Sequence, residues 1–432
     1  METYPKTRLR DLIRLIGLLV RTRRRGGDLS EAVAGWLRGL TEQYQSPNIV
    51  IDLIFRRVLF VSGHALSAHV LASPPSSHAF VAGSMKKKAM SFLAPHALTI
   101  LQDDEWRAFR TFNEEVLQTG IPHGHLAFIL AQVEKAFSQP VRDIDEIRQR
   151  MGQVMLVTVF GEGNAPPHLI GDIQELFAEV SPRTAVLGSR KGALRDRFRG
   201  ELGRLWQSGA GTTQPALLAL AHKAAQKLDG TYRREDLLVS QIPHWMFTFT
   251  NSGSDLLGRS LAMISAREET LARVRQEISS VGRPSEVENA HRSRYLEACI
   301  RETGRLYPPV VQTAHRAARS SSCEGVDIPA GTELLHYFPV NNRNTSLDPL
   351  ANHFRPERWL DPGDPVHKRA PNLFLTGART CPGRDLILFI VKAAIALLLR
   401  DGSIPAKRSI LTDDPLPFSF PNQCARFEPT RR

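Results

Sequence analysis

At 432 residues, 42% hydrophobic and 23% charged, the chain has an ordinary globular composition, large enough for a sizeable core and unlike a disordered or repetitive chain. Its four cysteines, Cys299, Cys323, Cys381 and Cys424, are widely spaced without CxxC, which excludes a disulfide framework and leads us to expect a reducing, cytoplasmic compartment. A net charge of +12 favours an anionic partner, but the basic runs at 21–25 and 86–88 carry no interleaved aromatics and no nucleic-acid signature, so an acidic protein is the expected partner and nucleic acid is not.

Residues 9–20 open the chain with a helical pattern. The run "LIRLIGLLV" (12–20) is too short to span a bilayer and is interrupted by Arg14. Its main positive cluster follows the apolar run and no A-x-A site is present, unlike a secretory signal. We read it as an amphipathic helix docked on the body, with a membrane-surface anchor as the alternative. Residues 1–45 are accordingly expected as a basic, amphipathic segment, and 46–432 as one large domain. Apolar residues at i, i+3 and i+4 predict further helices over 29–45, 103–120, 124–138, 142–160, 168–180, 191–207, 215–228 and 242–280. Residues 49–60 read as strand, and "GVDIPAGTELLHYFPV" (325–340) as strand, turn and strand. Residues 208–215 and 279–285 have loop composition. The last element, 384–400, is apolar nearly all round. At roughly 1.5 Å per residue it reaches about 25 Å, short of a bilayer core of about 30 Å, so we expect a helix buried in protein and no transmembrane segment. The fold class expected is mainly α with a small β-sheet region.

"FLTGARTCPG" (374–383) sets Cys381 ahead of that buried helix. A helix N-terminus favours a thiolate, Pro382 fixes the entry into the helix, and Gly377 and Gly383 permit positive φ or close backbone approach. Arg379 adds a fixed positive charge. A flat, dianionic ligand whose metal accepts one sulfur meets these features; a buried free cysteine beside a turn is the plainer reading.

The stretch resembles the haem-binding loop of the cytochrome P-450 family, F-x-x-G-x-R-x-C-x-G, and Phe374, Gly377, Arg379, Cys381 and Gly383 match every fixed position. The resemblance implies haem b (iron protoporphyrin IX) with Cys381 as its axial thiolate and Arg379 on a propionate. It extends from about residue 49 to 420. "ETGR" (302–305) resembles the family's E-x-x-R, and "FRPERW" (354–359) its F-x-P-E-R-F, which implies a structural cluster of Glu302, Arg305 and Arg358. "WRAFR" is similar to the family's W-x-x-x-R, implying that Trp106 and Arg110 reach propionates; "HRAA" implies the same of His315 or Arg316.

One expected motif is altered. The family's long helix carries an acid–threonine pair above the iron, which handles the protons of oxygen activation. Here the stretch reads "HWMFTFTNSGSDLLGRSL" (244–261). By pattern Asp255 matches the acid and Leu256 replaces the threonine; by spacing Asn251 and Ser252 take the two positions. Thr250, Asn251, Ser252 and Asp255 are therefore the catalytic candidates. Cap or kink residues of a bent helix are the structural reading. Phe247, Phe249 and Phe418 are candidate pocket walls or ordinary core. The resemblance implies a monooxygenase acting on an apolar small molecule, with electrons from a separate donor such as a ferredoxin and its reductase. A peroxide-using or non-oxidative haem-thiolate enzyme, and a haem-binding sensor without catalysis, are the alternatives.

Overall fold

The computed structural model describes residues 4–53, 56–77, 79–209, 211–282, 287–365, 373–400, 409–413 and 415–427. The helices are α1 (Leu9–Arg24), α2 (Leu29–Gln43), α3 (His64–Ala72), α4 (Ser84–Leu93), α5 (Asp103–Leu117), α6 (Leu126–Phe137), α7 (Ile144–Phe160) and α8 (His168–Phe177). They continue as α9 (Pro182–Leu187), α10 (Gly192–Gln207), α11 (Leu217–Ala225), α12 (Glu235–Val239) and α13 (Ile242–Phe247). The last are α14 (Ser254–Ser265), α15 (Glu268–Val281), α16 (Val287–Arg292), α17 (Arg294–Leu306), α18 (Phe338–Asn341) and α19 (Arg384–Arg400). The strands are β1 (Asn48–Asp52), β2 (Arg57–Val61), β3 (Phe80–Ala82), β4 (Gln312–Ala317), β5 (Ser321–Cys323), β6 (Val326–Ile328) and β7 (Glu333–Tyr337). The chain divides into two compact units, one comprising residues 1–84, 301–380 and 409–422, the other 85–300, 381–408 and 423–432.

The first unit is built on a sheet of order β1-β2-β7-β4-β3, in which only the β2–β7 pair is parallel. β5 and β6 form a separate antiparallel ribbon. Alternation along "RVLFV" feeds both faces of the sheet. Leu59 and Val61 pack with Leu66 and Val70 of α3, Phe80 and Leu334, whereas Phe60 packs with Leu12, Ala34, Leu37, Ile51 and Tyr337. Leu12 of α1 and Ala34 and Leu37 of α2, within the segment expected to stand apart, thus share a core with the sheet. Asp11 fastens them: its carboxylate accepts from the Tyr44 hydroxyl at 2.6 Å and the Arg8 N–H at 2.8 Å, and its carbonyl from Trp36. Burial pushes the Asp11 carboxyl up, but these donors outweigh it and hold it below the usual aspartate value.

The second unit surrounds α19. Every residue from Leu388 to Leu399 is buried, Lys392 included, whose ammonium meets Glu297 at 2.8 Å. α6, α14 and α15 pack on this helix. A helix apolar on all sides needs neighbours on all sides, which is what the sequence pattern required.

Two departures from expectation bear on function. The helix expected over 242–280 is interrupted twice: a π-helical stretch, Thr248–Gly253, joins α13 to α14, and Ala266 and Arg267 separate α14 from α15. The loop expected to begin at residue 279 begins later, because α15 runs through Val281. The strand read over 49–60 is a pair of antiparallel strands, β1 and β2.

Candidate functional site

In the second unit Cys381 sits three residues ahead of α19, and the loop after α5 clamps this start. The Thr119 hydroxyl donates to the Pro382 carbonyl at 2.6 Å and the Gly120 N–H to Asp385 at 2.8 Å. The chain makes the required reversal at Gln118, whose φ is 49°. The sulfur lies in a mixed field. Burial pushes the thiol up, the Gly383 N–H and the charges of Arg110 and Arg384 pull it down, and Asp385 adds to the rise. The net direction is upward, so the helix terminus does not by itself favour a thiolate here as the sequence led us to expect; desolvation outweighs it. A methyl group added at Gly383 would make only an ordinary contact with Leu117, at 3.7 Å.

Trp106 and Arg110 stand one turn apart on α5. Trp106 is buried, and the Arg110 guanidinium is held by Glu114 at 2.6 Å while its charge acts on Cys381. The π-helical stretch carries three of the catalytic candidates. Thr250 is buried and its hydroxyl donates to the Met246 carbonyl at 3.0 Å; the Asn251 amide donates to Phe247 and to the Thr250 hydroxyl, each at 3.3 Å. Ser252 is partly exposed. Asp255 is engaged elsewhere: it pairs with Arg148 of α7 at 3.0 Å and Arg259 at 2.9 Å, tying α14 to α7. A π turn widens the helix and frees backbone bonds locally, a feature concentrated at functional sites. Phe247 is buried between His244 and Phe177, with ring centroids 5.0 and 4.4 Å away, and Phe249 is buried as well.

The first unit holds the other half of the loop. Gly377 has φ 62°, and a Cβ there would lie 2.6 Å from the Ala72 backbone, so the residue is required by positive φ and by close packing on α3. Leu375, two residues earlier, also has positive φ (57°), costly for a bulky side chain. Phe374 lies partly exposed in the turn before it. Arg379 donates to the Phe80 carbonyl at 2.6 Å and to that of Val70 at 3.4 Å. On β4 the pleat separates the two propionate candidates: His315 is buried, and Arg316 is exposed on the opposite face. Beside His315 lies a residue the sequence reading missed. His336 of β7 is wholly buried, 5.3 Å from His315 between ring centroids, and among the described residues neither of its ring nitrogens has a hydrogen-bond partner. Burial, and then the charge of Arg379, push its pKa down to about 3. A histidine at an inward position of an otherwise apolar strand was the available signal. Phe418 packs on the α2 side of the sheet, under the guanidinium groups of Arg343 (5.2 Å) and Arg38 (5.9 Å).

The expected structural cluster is present in this unit. Glu302, Arg305 and Arg358 have fully buried side chains. Glu302 receives Arg305 through two bonds of 2.8 Å, Arg358 at 3.1 Å, and the Arg355 N–H and Trp359 indole at 3.0 Å each. Arg305 donates on to the carbonyls of Asn342, Ala351 and His353, and Arg358 to Asp348. Burial raises the Glu302 carboxyl, but its cationic and N–H donors prevail and hold it below its ordinary value.

Within the second unit, Cys381 offers a partly buried sulfur among N–H and cationic neighbours, as a haem iron would need. Within the first, His336 offers buried nitrogens with no hydrogen-bond partner among the described residues, of the kind that receive a carboxylate. The family model for cytochrome P450 matches residues 250–412. Berbamunine synthase of Berberis stolonifera is 33% identical over 158 residues, covering 35% of this chain and 32% of that protein. Cytochrome P450 84A1 of Arabidopsis thaliana is 32% identical over 162 residues (36% and 31%), and cytochrome P450 714B3 of Zea mays 28% identical over 273 (59% and 51%). The chain therefore spans about a third to a half of the length of these curated relatives. Over these stretches it is similar to the cytochrome P450 family.

Proposed function

We propose that this protein is a haem-thiolate monooxygenase that inserts one atom of dioxygen into an apolar small molecule. The observation that carries the reading is the Cys381 loop, complete at all five fixed positions, with its partly buried sulfur beside an N–H donor and the charges of two arginines ahead of α19. When bound, thiolate-ligated haem supplies the activation of dioxygen. Cys381 is the ligand. The family resemblance assigns propionate contacts to Trp106 and Arg110, to Arg379 and to His315, and buried His336 beside His315 is the further candidate. Phe374, Gly377 and Gly383 shape the loop, and Arg316, facing outward, has no part. Glu302, Arg305 and Arg358 stiffen the first unit.

The proton work falls to Thr250, Asn251 and Ser252 rather than Asp255, whose carboxylate is occupied by Arg148 and Arg259. An amide and hydroxyls on a π turn can hold and orient a water, the task an acid performs elsewhere in the family. Phe247 and Phe249 are the candidate pocket walls. Phe418 is assigned to core packing beneath Arg343. Electrons come from a separate donor, and the +12 charge supports an acidic ferredoxin docking to it. The four widely spaced cysteines suit a reducing, cytoplasmic setting.

A second reading, a haem-thiolate enzyme driven by peroxide, is motivated by the missing acid–threonine pair. The test is substrate turnover with NADPH, ferredoxin and ferredoxin reductase beside turnover with hydrogen peroxide. Turnover requiring the reductase chain supports the monooxygenase; turnover with peroxide alone replaces it by the second reading.

A further inference from the structure

The π-helical stretch Thr248–Gly253 winds more residues into a turn than the helices on either side, and both of its ends are pinned within the second unit. At its far end Gly253 and Gly258 bring the chain close to its neighbours: a Cβ on Gly253 would lie 2.7 Å from Ile387 of α19, and one on Gly258 2.6 Å from Ile144 of α7. Before it, α13 is held by buried polar side chains. The Trp245 indole donates to the amide oxygen of Asn113 on α5 at 2.8 Å, and the Asn113 nitrogen donates to Gln241 at 3.2 Å and to the Phe109 carbonyl at 2.8 Å. Gln241 donates in turn to the carbonyls of His96 and Leu237. An indole can only donate, so Asn113 must turn its oxygen to Trp245 and its nitrogen to Gln241, which fixes Gln241 as well. Every donor and acceptor of the two amides is used in this one arrangement. Within the stretch, side chains cover the carbonyls of α13: Thr248 donates to those of His244 and Trp245, Thr250 to that of Met246 and Asn251 to that of Phe247. The Asn251 amide also donates to the Thr250 hydroxyl, which leaves the Asn251 amide oxygen and the Ser252 hydroxyl to meet a water.

We propose that Asn113, Gln241 and Trp245 are positioning residues for the proton-handling turn: they fix the rotation of α13 and with it the direction in which Asn251 and Ser252 face, a role that rests on the monooxygenase reading above. The arrangement they exclude is a plain one. If α13 advanced by one residue, about 1.5 Å and 100°, the extra residue would vanish and 242–265 would run as one α-helix. That register carries the indole away from Asn113 and leaves buried amide atoms unpaired. Apolar packing discriminates less, because the stack of Trp245 on Phe112, with ring centroids 6.3 Å apart, is less directional than a hydrogen bond. A buried polar network with every member satisfied holds one arrangement against its neighbours. Its place in the chain puts that selectivity to use. Gln241 lies one turn before Trp245, and the π stretch begins three residues after Trp245, so no other turn separates the network from the residues it orients.

The test is the double variant Asn113→Leu/Trp245→Phe, which removes a donor and its acceptor together and keeps side chains of similar shape. Hydrogen–deuterium exchange of the ferric holoenzyme, followed by mass spectrometry, should be about tenfold faster over 244–253 as α13 moves between the two registers, with α7 and α19 unchanged. Peroxide released per NADPH consumed, with ferredoxin, its reductase and lauric acid as an apolar probe, should rise about threefold, and should rise no further when the double variant is combined with Asn251→Ala. Trp245→Phe alone, which keeps a ring against Phe112, should show the same pattern at smaller size. Exchange over 244–253 equal to that of the wild type, exchange that rises equally in α7 and α19, or uncoupling that adds to that of Asn251→Ala overturns the proposal. A wild type that consumes no NADPH through the reductase chain counts against the monooxygenase reading alone. Exchange needs no turnover and decides the register claim by itself.

Discussion

Replacing Glu302 by glutamine tests the cluster at the base of the first unit. The substitution keeps the shape and removes the charge from a site where the Glu302, Arg305 and Arg358 side chains are all 0% exposed. Arg305 keeps three carbonyl acceptors and Arg358 keeps Asp348, but neither retains the carboxylate that both share. Breaking a buried pair in this way costs about 3–5 kcal/mol, because the remaining cations stay desolvated. That is a large part of a typical stability of about 5–15 kcal/mol. At roughly 3 kcal/mol per molar of urea, the unfolding midpoint should fall by about 1 M. The pH dependence has a definite sign. The folded Glu302 carboxyl lies below its ordinary value, so its stabilisation is complete above the unfolded pKa of about 4.3 and is lost as pH falls through the lower folded one. The gap between wild type and variant should be constant at neutral pH and close only in acid. A midpoint shift below about 0.2 M at pH 7, or a gap that closes at higher pH, would refute the argument.

Gly377→Ala should cost about 2 kcal/mol or more, from positive φ and the 2.6 Å approach to Ala72, read as a lower thermal midpoint; unchanged melting would show that the loop can move off α3. His336→Leu should speed haem loss to an apomyoglobin acceptor, whereas Arg316→Leu on the outer face should leave the rate unchanged; equal rates would remove His336 from the propionate set. Asn251→Ala should divert reducing equivalents to peroxide without lowering stability, measured as product formed per NADPH. Asp255→Asn should do the reverse, lowering the thermal midpoint by loosening α14 from α7 while product per NADPH holds; a large loss of coupling there would return Asp255 to the proton path.

How much of this could be read from sequence depended on whether one residue pattern answered to one force. α19 was legible because an unbroken apolar run has one use outside a membrane. α1 was legible from its period, but not the division of its apolar residues between α2 and solvent, which tertiary packing decides. α3 escaped: "HALSAHVLA" is nine residues long and scatters His64, Ser67 and His69 around the helix, so no helical period stands out. The breaks in the helix expected over 242–280 were also hidden, since a π turn keeps helical composition while adding a residue to one turn. At the site, Cys381 and the Glu302 cluster were reached through motif resemblance; an i, i+3 pair alone reads as surface decoration. Which of His315 and Arg316 is buried needed the pleat, because adjacent strand residues face opposite ways and counting from a turn carries an error of one. His336 needed both strands, since only the β4–β7 pairing brings it beside His315.

The most direct test of the central claim is the absorption spectrum of the dithionite-reduced protein under carbon monoxide, with a Cys381→Ser variant alongside. The account predicts a strongly red-shifted Soret band that the variant lacks, since only a thiolate opposite the carbon monoxide produces that shift. An unshifted band in the wild type, or a shifted band that survives the substitution, would contradict Cys381 as the ligand and with it the proposed oxygen chemistry.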